Sequence, residues 1–140
     1  MVRALAVELE QSGARFARAN SLHPTDVRAL IALLDGERSG ADATPTWLSQ
    51  QLGGLNSATV TALLDRLSDR GLVERSADPT DRRRVLLTVT TQARNVGESY
   101  FGPMIAEAMS RMERFDTAQL AVVREFLSEM TRAVEADRSR

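Results

Sequence analysis

The feature that most constrains this chain is a change of hydrophobic period at Gly71. Before it, Val60, Leu63, Leu64 and Leu67 recur at the spacing of one helical face, in a stretch from Asn56 to Arg70 that Asn56 or Ser57 can cap. After it, Leu72-Val73 and then Val85, Leu87 and Val89 are short β-favouring segments on either side of Asp78-Pro79-Thr80-Asp81, a strong turn sequence. The tip of that hairpin carries Arg82, Arg83 and Arg84 in a row. A short helix upstream, opened by Thr44-Pro45, carries Trp47, Leu48 and Leu52 and stops at Gly53-Gly54. Two helices around a glycine turn, running straight into a hairpin, form a helix-turn-helix with a wing.

The remaining segments read as helices. Leu5, Leu9, Phe16 and Ala19 form a stripe that Asn20-Ser21 ends, and Pro24 opens a second helix with Val27, Leu30, Ile31 and Leu34 on one face. Asp35-Gly36 is the expected stop, with Glu37 to Ala43 as a polar loop. Thr90 or Thr91 caps a long helix through Val96, Tyr100, Met104, Ala108 and Met112, with a kink expected at Gly102-Pro103. Asp116 caps the last helix, where Leu120, Val123, Leu127, Met130 and Val134 step by three and four like a coiled-coil seam. The expected fold is mainly α with a small β-hairpin wing, in one domain over residues 1–140. The winged lobe spans 24–90, its recognition helix about 56–70 and its wing about 72–89, and helices in 1–20 and 91–140 serve dimerisation.

Composition removes whole classes of chemistry. The chain has no cysteine, so disulfides, thiolate metal sites and reactive thiols are excluded together, and His23 is its one histidine. One imidazole among scattered carboxylates gives no metal-ligand spacing, and neither a metal nor a cofactor is expected. No serine sits in a glycine-flanked nucleophile turn and no glycine-rich phosphate loop follows a strand, so the chain does not read as an enzyme. No apolar run approaches the roughly 20 residues a bilayer crossing needs, and the N-terminus lacks a signal-peptide pattern, so a cytoplasmic location and no membrane partner are expected.

The net charge of −1 is unusual for a nucleic-acid binder, but every one of the 18 basic residues is arginine, able to fork onto phosphate or base edges. A reading helix needs its apolar face held by the domain and a small, polar face turned outward. Asn56 to Arg70 meets that condition: Ser57, Thr59, Thr61 and Ala62 are small and lie away from the leucine face, with Arg66 one turn on. Three consecutive arginines repel one another unless carboxylates or a polyanion balance them. Asp78 and Asp81 can orient the tip, leaving guanidinium groups available to the minor groove.

These residues resemble the multiple antibiotic resistance regulator (MarR) family. The resemblance lies in Asn56-Ser57-Ala58-Thr59-Val60-Thr61-Ala62-Leu63-Leu64-Asp65-Arg66-Leu67, in Arg70-Gly71-Leu72-Val73-Glu74-Arg75, in Asp78-Pro79-Thr80-Asp81-Arg82-Arg83, and in the strand ending Val89-Thr90. It implies a transcription regulator, probing double-stranded DNA as a homodimer on an inverted repeat and acting as a ligand-responsive repressor. Ser57, Thr59, Thr61 and Arg66 then fall at major-groove or nearby backbone positions, Arg82 and Arg83 are the wing arginines, and Asp81 orients the wing. Ala62 stands where many relatives are basic or polar, Ala93 replaces a glycine usual after the wing, and Gly53-Gly54 lengthens the common turn by one residue.

The DNA-contacting set is therefore Asn56, Ser57, Thr59, Thr61, Ala62, Arg66, Arg82, Arg83 and Arg84, with Asp78 and Asp81 as wing supports. Leu5, Leu9, Phe16, Leu120, Val123, Leu127, Met130 and Val134 are the expected dimer seam. A small aromatic or anionic effector would find its aromatic walls and cation in Arg15, Phe16, Arg18, His23 and Trp47, although His23 before Pro24 also suits a helix cap or surface position. The competing reading is a winged-helix protein-interaction module that does not bind DNA specifically.

Overall fold

The computed structural model describes residues 1–137. Among them are six helices and one hairpin: α1 (Val2–Ala19), α2 (Pro24–Ser39), α3 (Pro45–Gln51), α4 (Ser57–Asp69), β1 (Val73–Ala77), β2 (Val85–Val89), α5 (Thr91–Met112) and α6 (Thr117–Asp137). The chain falls into two compact units, Met1–Tyr100 and the segment from Phe101 onward. The winged lobe expected over 24–90 lies in the first unit, and α1 lies there with it.

The starts of α3, α4, α5 and α6 each have a side-chain explanation. The Thr44 Oγ1 accepts from the Trp47 amide at 3.2 Å to open α3, and the Asn56 Oδ1 accepts from the Thr59 amide at 2.9 Å to open α4. Thr90 does the same for α5, accepting from the Ala93 amide at 3.1 Å. At α6, Asp116 and Gln119 exchange reciprocal bonds, amide to side chain, at 2.8 and 2.9 Å. The α5 helix runs from Thr91 to Met112 through Pro103.

One expected boundary is corrected. Gly36 does not stop α2, which continues three residues further to Ser39 and ends on Gly40 in the left-handed conformation at φ 72°. Gly36 is buried mid-helix because the Trp47 indole lies against it: a Cβ there would sit 2.6 Å from the ring. The glycine serves close helix packing, and the polar loop is correspondingly shorter, with Glu37 on the helix.

The core of the first unit is the meeting of α2, α3, α4 and the hairpin. Leu33, Leu48, Leu63, Leu64 and Leu67 are almost completely buried, with Val60, Leu72, Val73, Leu87 and Val89 around them. The whole expected inner face of α4 is thus inside, each leucine contributing about 1.5–3 kcal/mol by burial. The hairpin is antiparallel with Val73 opposite Val89 and Ala77 opposite Val85. Its outer strand is tied down again by the Leu87 amide, which donates to the Ala43 carbonyl at 2.8 Å.

In the second unit α6 buries no residue. Val123, Leu127, Met130 and Val134 are exposed, and Leu120 is half-buried. In the first unit Leu5 and Leu9 of α1 are exposed too, whereas Phe16 is not: it is buried and meets Tyr100 edge-on, ring centres 5.1 Å apart. Phe16, expected at the dimer seam, packs within its own unit.

Candidate nucleic-acid interface

Burial of Val60, Leu63, Leu64 and Leu67 forces the opposite face of α4 outward. Asn56, Ser57, Thr59, Thr61 and Ala62 are all exposed there, joined by Ala58. None of these side chains is longer than asparagine, so the first two turns of α4 offer a low surface that base edges can approach closely. The turn before α4 holds Gly53 and Gly54 in succession at φ 86° and 82°, a backbone path that side-chain-bearing residues rarely follow.

The wing is built around its two acids. Asp78, nearly buried, accepts from the Thr80 amide at 2.8 Å and the Thr80 hydroxyl at 2.7 Å. Asp81 accepts from the Arg83 amide at 3.0 Å, while the Arg84 amide donates to the Asp81 carbonyl at 2.9 Å, closing a four-residue turn. The three arginines then part company. Arg84 folds back, donating to Asp42 at 3.0 Å and pairing with Asp78 at 3.2 Å. Arg82 is exposed, with no ion-pair partner among the described residues, and Arg83 is 95% exposed with Asp81 at 3.7 Å. Two guanidinium groups, not three, stand at the turn.

The Thr80 amide and then its hydroxyl hold the Asp78 carboxyl below its usual range, against the opposing effect of burial, with the Asp81 amide and the Arg84 charge adding to the lowering. The Arg84 guanidinium is correspondingly raised, chiefly by its bond to Asp42. A carboxyl lowered on folding stabilises the fold above its unfolded value, near 4, and the contribution is lost as pH falls through the lower folded value. The wing turn is therefore expected to stay closed through pH 5–8 and to open only in acid below about pH 4. Exchange of the Thr80 amide followed by NMR against pH reads this directly, and Asp78→Asn should remove the acid dependence.

Arg66, expected at DNA, is bonded elsewhere. Its guanidinium donates to Asp26 Oδ1 at 2.7 Å, and Asp26, only 2% exposed, also accepts from the His23 amide at 3.1 Å through its other oxygen. Neither this pair nor three further braces was read from the sequence. Arg70 donates to the Asn20 and Ser21 carbonyls, each at 2.6 Å, and Arg75 on β1 donates to Asp65 on α4 at 2.7 Å. Glu37 accepts from the Val89 amide and pairs with Arg94 at the start of α5. Apart from Arg75 with Asp65, these partners lie 40 or more positions apart, beyond any local pattern.

The five residues expected to surround an effector come from different segments of the first unit: Arg15, Phe16 and Arg18 from α1, His23 from the start of α2 and Trp47 from α3. Arg15, Arg18 and His23 are exposed, Phe16 meets Tyr100, and His23 stands at the N-cap position of α2. Trp47 instead borders an open cleft of about 570 Å³ whose other walls include Arg28, Ile31 and Leu52. Among the described residues no group of three potential metal ligands forms, and no helix is long and apolar enough to cross a membrane.

The match to a family model takes in α2, α3, α4, β1 and the wing turn, and stops before β2. Residues 20–84 fit the model described as MarR family. Over that segment the likeness is to a family of transcription regulators. The HTH-type transcriptional regulator YcgE of Bacillus subtilis (strain 168) is 29% identical over 124 residues, covering 89% of this chain and 77% of that protein. The chain also shares its fold with solved structures. Transcriptional regulator Tm0710 from Thermotoga maritima matches with a TM-score of 0.62 at 23% identity, covering 99% of this chain and 94% of the other. S. aureus MepR in a complex with DNA matches with a TM-score of 0.61 at 17% identity, covering 96% and 97%. MepR bound to ethidium bromide matches with 0.62, also at 17% identity, covering 95% and 93%.

Proposed function

We propose that this chain is a MarR-family regulator that binds duplex DNA sequence-specifically as a homodimer on an inverted repeat, and represses transcription until a small aromatic or anionic effector releases it. The observation that carries the DNA reading is the outer face of α4, small and polar from Ser57 to Ala62, beside a wing turn where Arg82 and Arg83 are solvent-facing. Asn56, Ser57, Thr59, Thr61 and Ala62 are the proposed base-edge surface, and the two arginines supply attraction in the minor groove. The solved MepR–DNA complex and the ethidium-bound form of that protein support both halves of the reading.

A single such helix reads few base pairs, and readers of this type gain specificity through two-fold symmetry. The exposed apolar residues Leu5 and Leu9 on α1, and Val123, Leu127, Met130 and Val134 on α6, support a homodimer. Sedimentation at micromolar concentration should show twice the chain mass, and Val123→Glu with Leu127→Glu should return it to monomer.

Selection of bound sequences from a random duplex pool tests the whole reading, with a palindrome as the expected product and aromatic acids added in a parallel arm. On the selected duplex, Arg82→Ala with Arg83→Ala should flatten the log–log salt dependence by about 0.9 per lost phosphate contact and weaken all sequences alike. Thr59→Ala should instead change the preference among sequences. Failure of the dimer to retard any duplex at low salt would leave the wing as a protein-binding surface.

A further inference from the structure

We propose that Arg66 and Arg70 are positioning residues that fix the tilt of α4 by bolting it to the junction between α1 and α2, so that sequence selectivity depends on a junction that itself touches no base. The inference rests on α4 being the reading helix and names what aims it.

The junction is built to receive these arginines. Helix α1 ends with the Leu22 amide donating to the Ala17 carbonyl at 2.8 Å and the Ser21 amide to the Arg18 carbonyl at 3.2 Å. That pattern places Ser21 where glycine is usual, and Ser21 is the one non-glycine residue with positive φ among the described residues, at 52°. The Asn20 side chain donates back to the Phe16 carbonyl at 3.0 Å and holds the end in place. What remains exposed is the carbonyl pair of Asn20 and Ser21, at the negative end of the helix dipole. The Arg70 fork meets both carbonyls at once, Nη1 on Ser21 and Nη2 on Asn20. A planar fork on two successive carbonyls fixes direction as well as distance.

Arg66, one turn earlier on α4, reaches the other side of the same junction through Asp26, in the first turn of α2. Asp26 also holds the His23 amide, so one buried carboxylate joins the start of α2 to α4. Two attachments a turn apart resist rotation of α4 about its own axis, which one attachment would allow. Rotation matters most for this helix, because its reading side chains are short and lose contact on a small turn. Helix α1 also carries the exposed Leu5 and Leu9, so the attachment joins the reading helix to a helix with an unburied apolar face.

The test compares wild type, Arg70→Ala and Arg70→Lys on the selected operator and on a random duplex across a salt series, with thermal unfolding to confirm that each variant folds. A positioning role predicts an unchanged salt slope, unchanged random-duplex affinity and an operator-to-random ratio reduced about tenfold in Arg70→Ala, with Lys intermediate because it lacks the fork. A slope flattened by about 0.9 with equal loss on both duplexes makes Arg70 a phosphate contact and overturns the proposal. Hydrogen exchange of the DNA-free protein separates this from failure of the DNA reading: Arg70→Ala should speed exchange across both 17–27 and 57–70. Unchanged exchange in α4 refutes the coupling whether or not wild type binds DNA, whereas a wild type that binds no duplex refutes the regulator's proposed target alone.

Discussion

Leu67→Ala is expected to lower the unfolding free energy by about 3–4 kcal/mol, within the range for leucine truncations that leave a cavity. Leu67 is fully buried at the centre of the α2, α3, α4 and hairpin cluster, where neighbours come from several elements and cannot all collapse into the space. Urea titration at fixed protein concentration reads the loss as a shift of midpoint at constant slope. Ile31→Ala supplies the control. Ile31 lies on the outer face of α2, 47% exposed, and its truncation should cost less than about 1 kcal/mol. Equal losses at the two positions would mean that the cluster around Leu67 is not the core.

Arg66→Ala has the second large effect, about 2–4 kcal/mol, through the partner it abandons. Asp26 is sealed from water and would retain a single amide donor for a carboxylate that needs several. Arg66 itself is partly exposed, which places the loss at the lower end of the range for buried pairs. The asymmetry gives a sharper test than the magnitude. Asp26→Ala in the Arg66→Ala background should recover part of the stability, because the isolated charge is gone. If the double variant is less stable than Arg66→Ala alone, the ion pair is not what links α2 to α4.

The parts of this protein legible in its sequence are those written in local periodicity. The inner face of α4 follows from its three-and-four spacing, the hairpin from Asp78-Pro79-Thr80-Asp81 between β-branched residues, and the caps at Thr44, Asn56 and Thr90 from residue type. Gly36 was misread as a stop because a glycine that ends a helix and one that admits an indole look alike until Trp47 is in place. Arg66 and Arg84 look no different in sequence from Arg82 and Arg83, yet carboxylates on distant segments hold the first two and leave the second two at the turn. Composition reports how many cations a chain has, and tertiary structure alone reports which are already engaged. Phe16 illustrates the same limit: nothing in the stripe on α1 announces that Tyr100 meets its ring.

If the chain binds DNA as proposed, the engagement of Arg38, Arg66, Arg75, Arg84 and Arg94 by carboxylates has a consequence for its life in a crowded chromosome. Arbitrary sequence holds a protein through uncompensated cations, and this lobe presents few of them near its reading helix. Dwell times on bulk chromosome should therefore be brief, and little of the cellular pool should be titrated away by sites that carry no message. A promoter governed by such a protein can be controlled by a small number of copies, and its occupancy should follow changes in copy number closely.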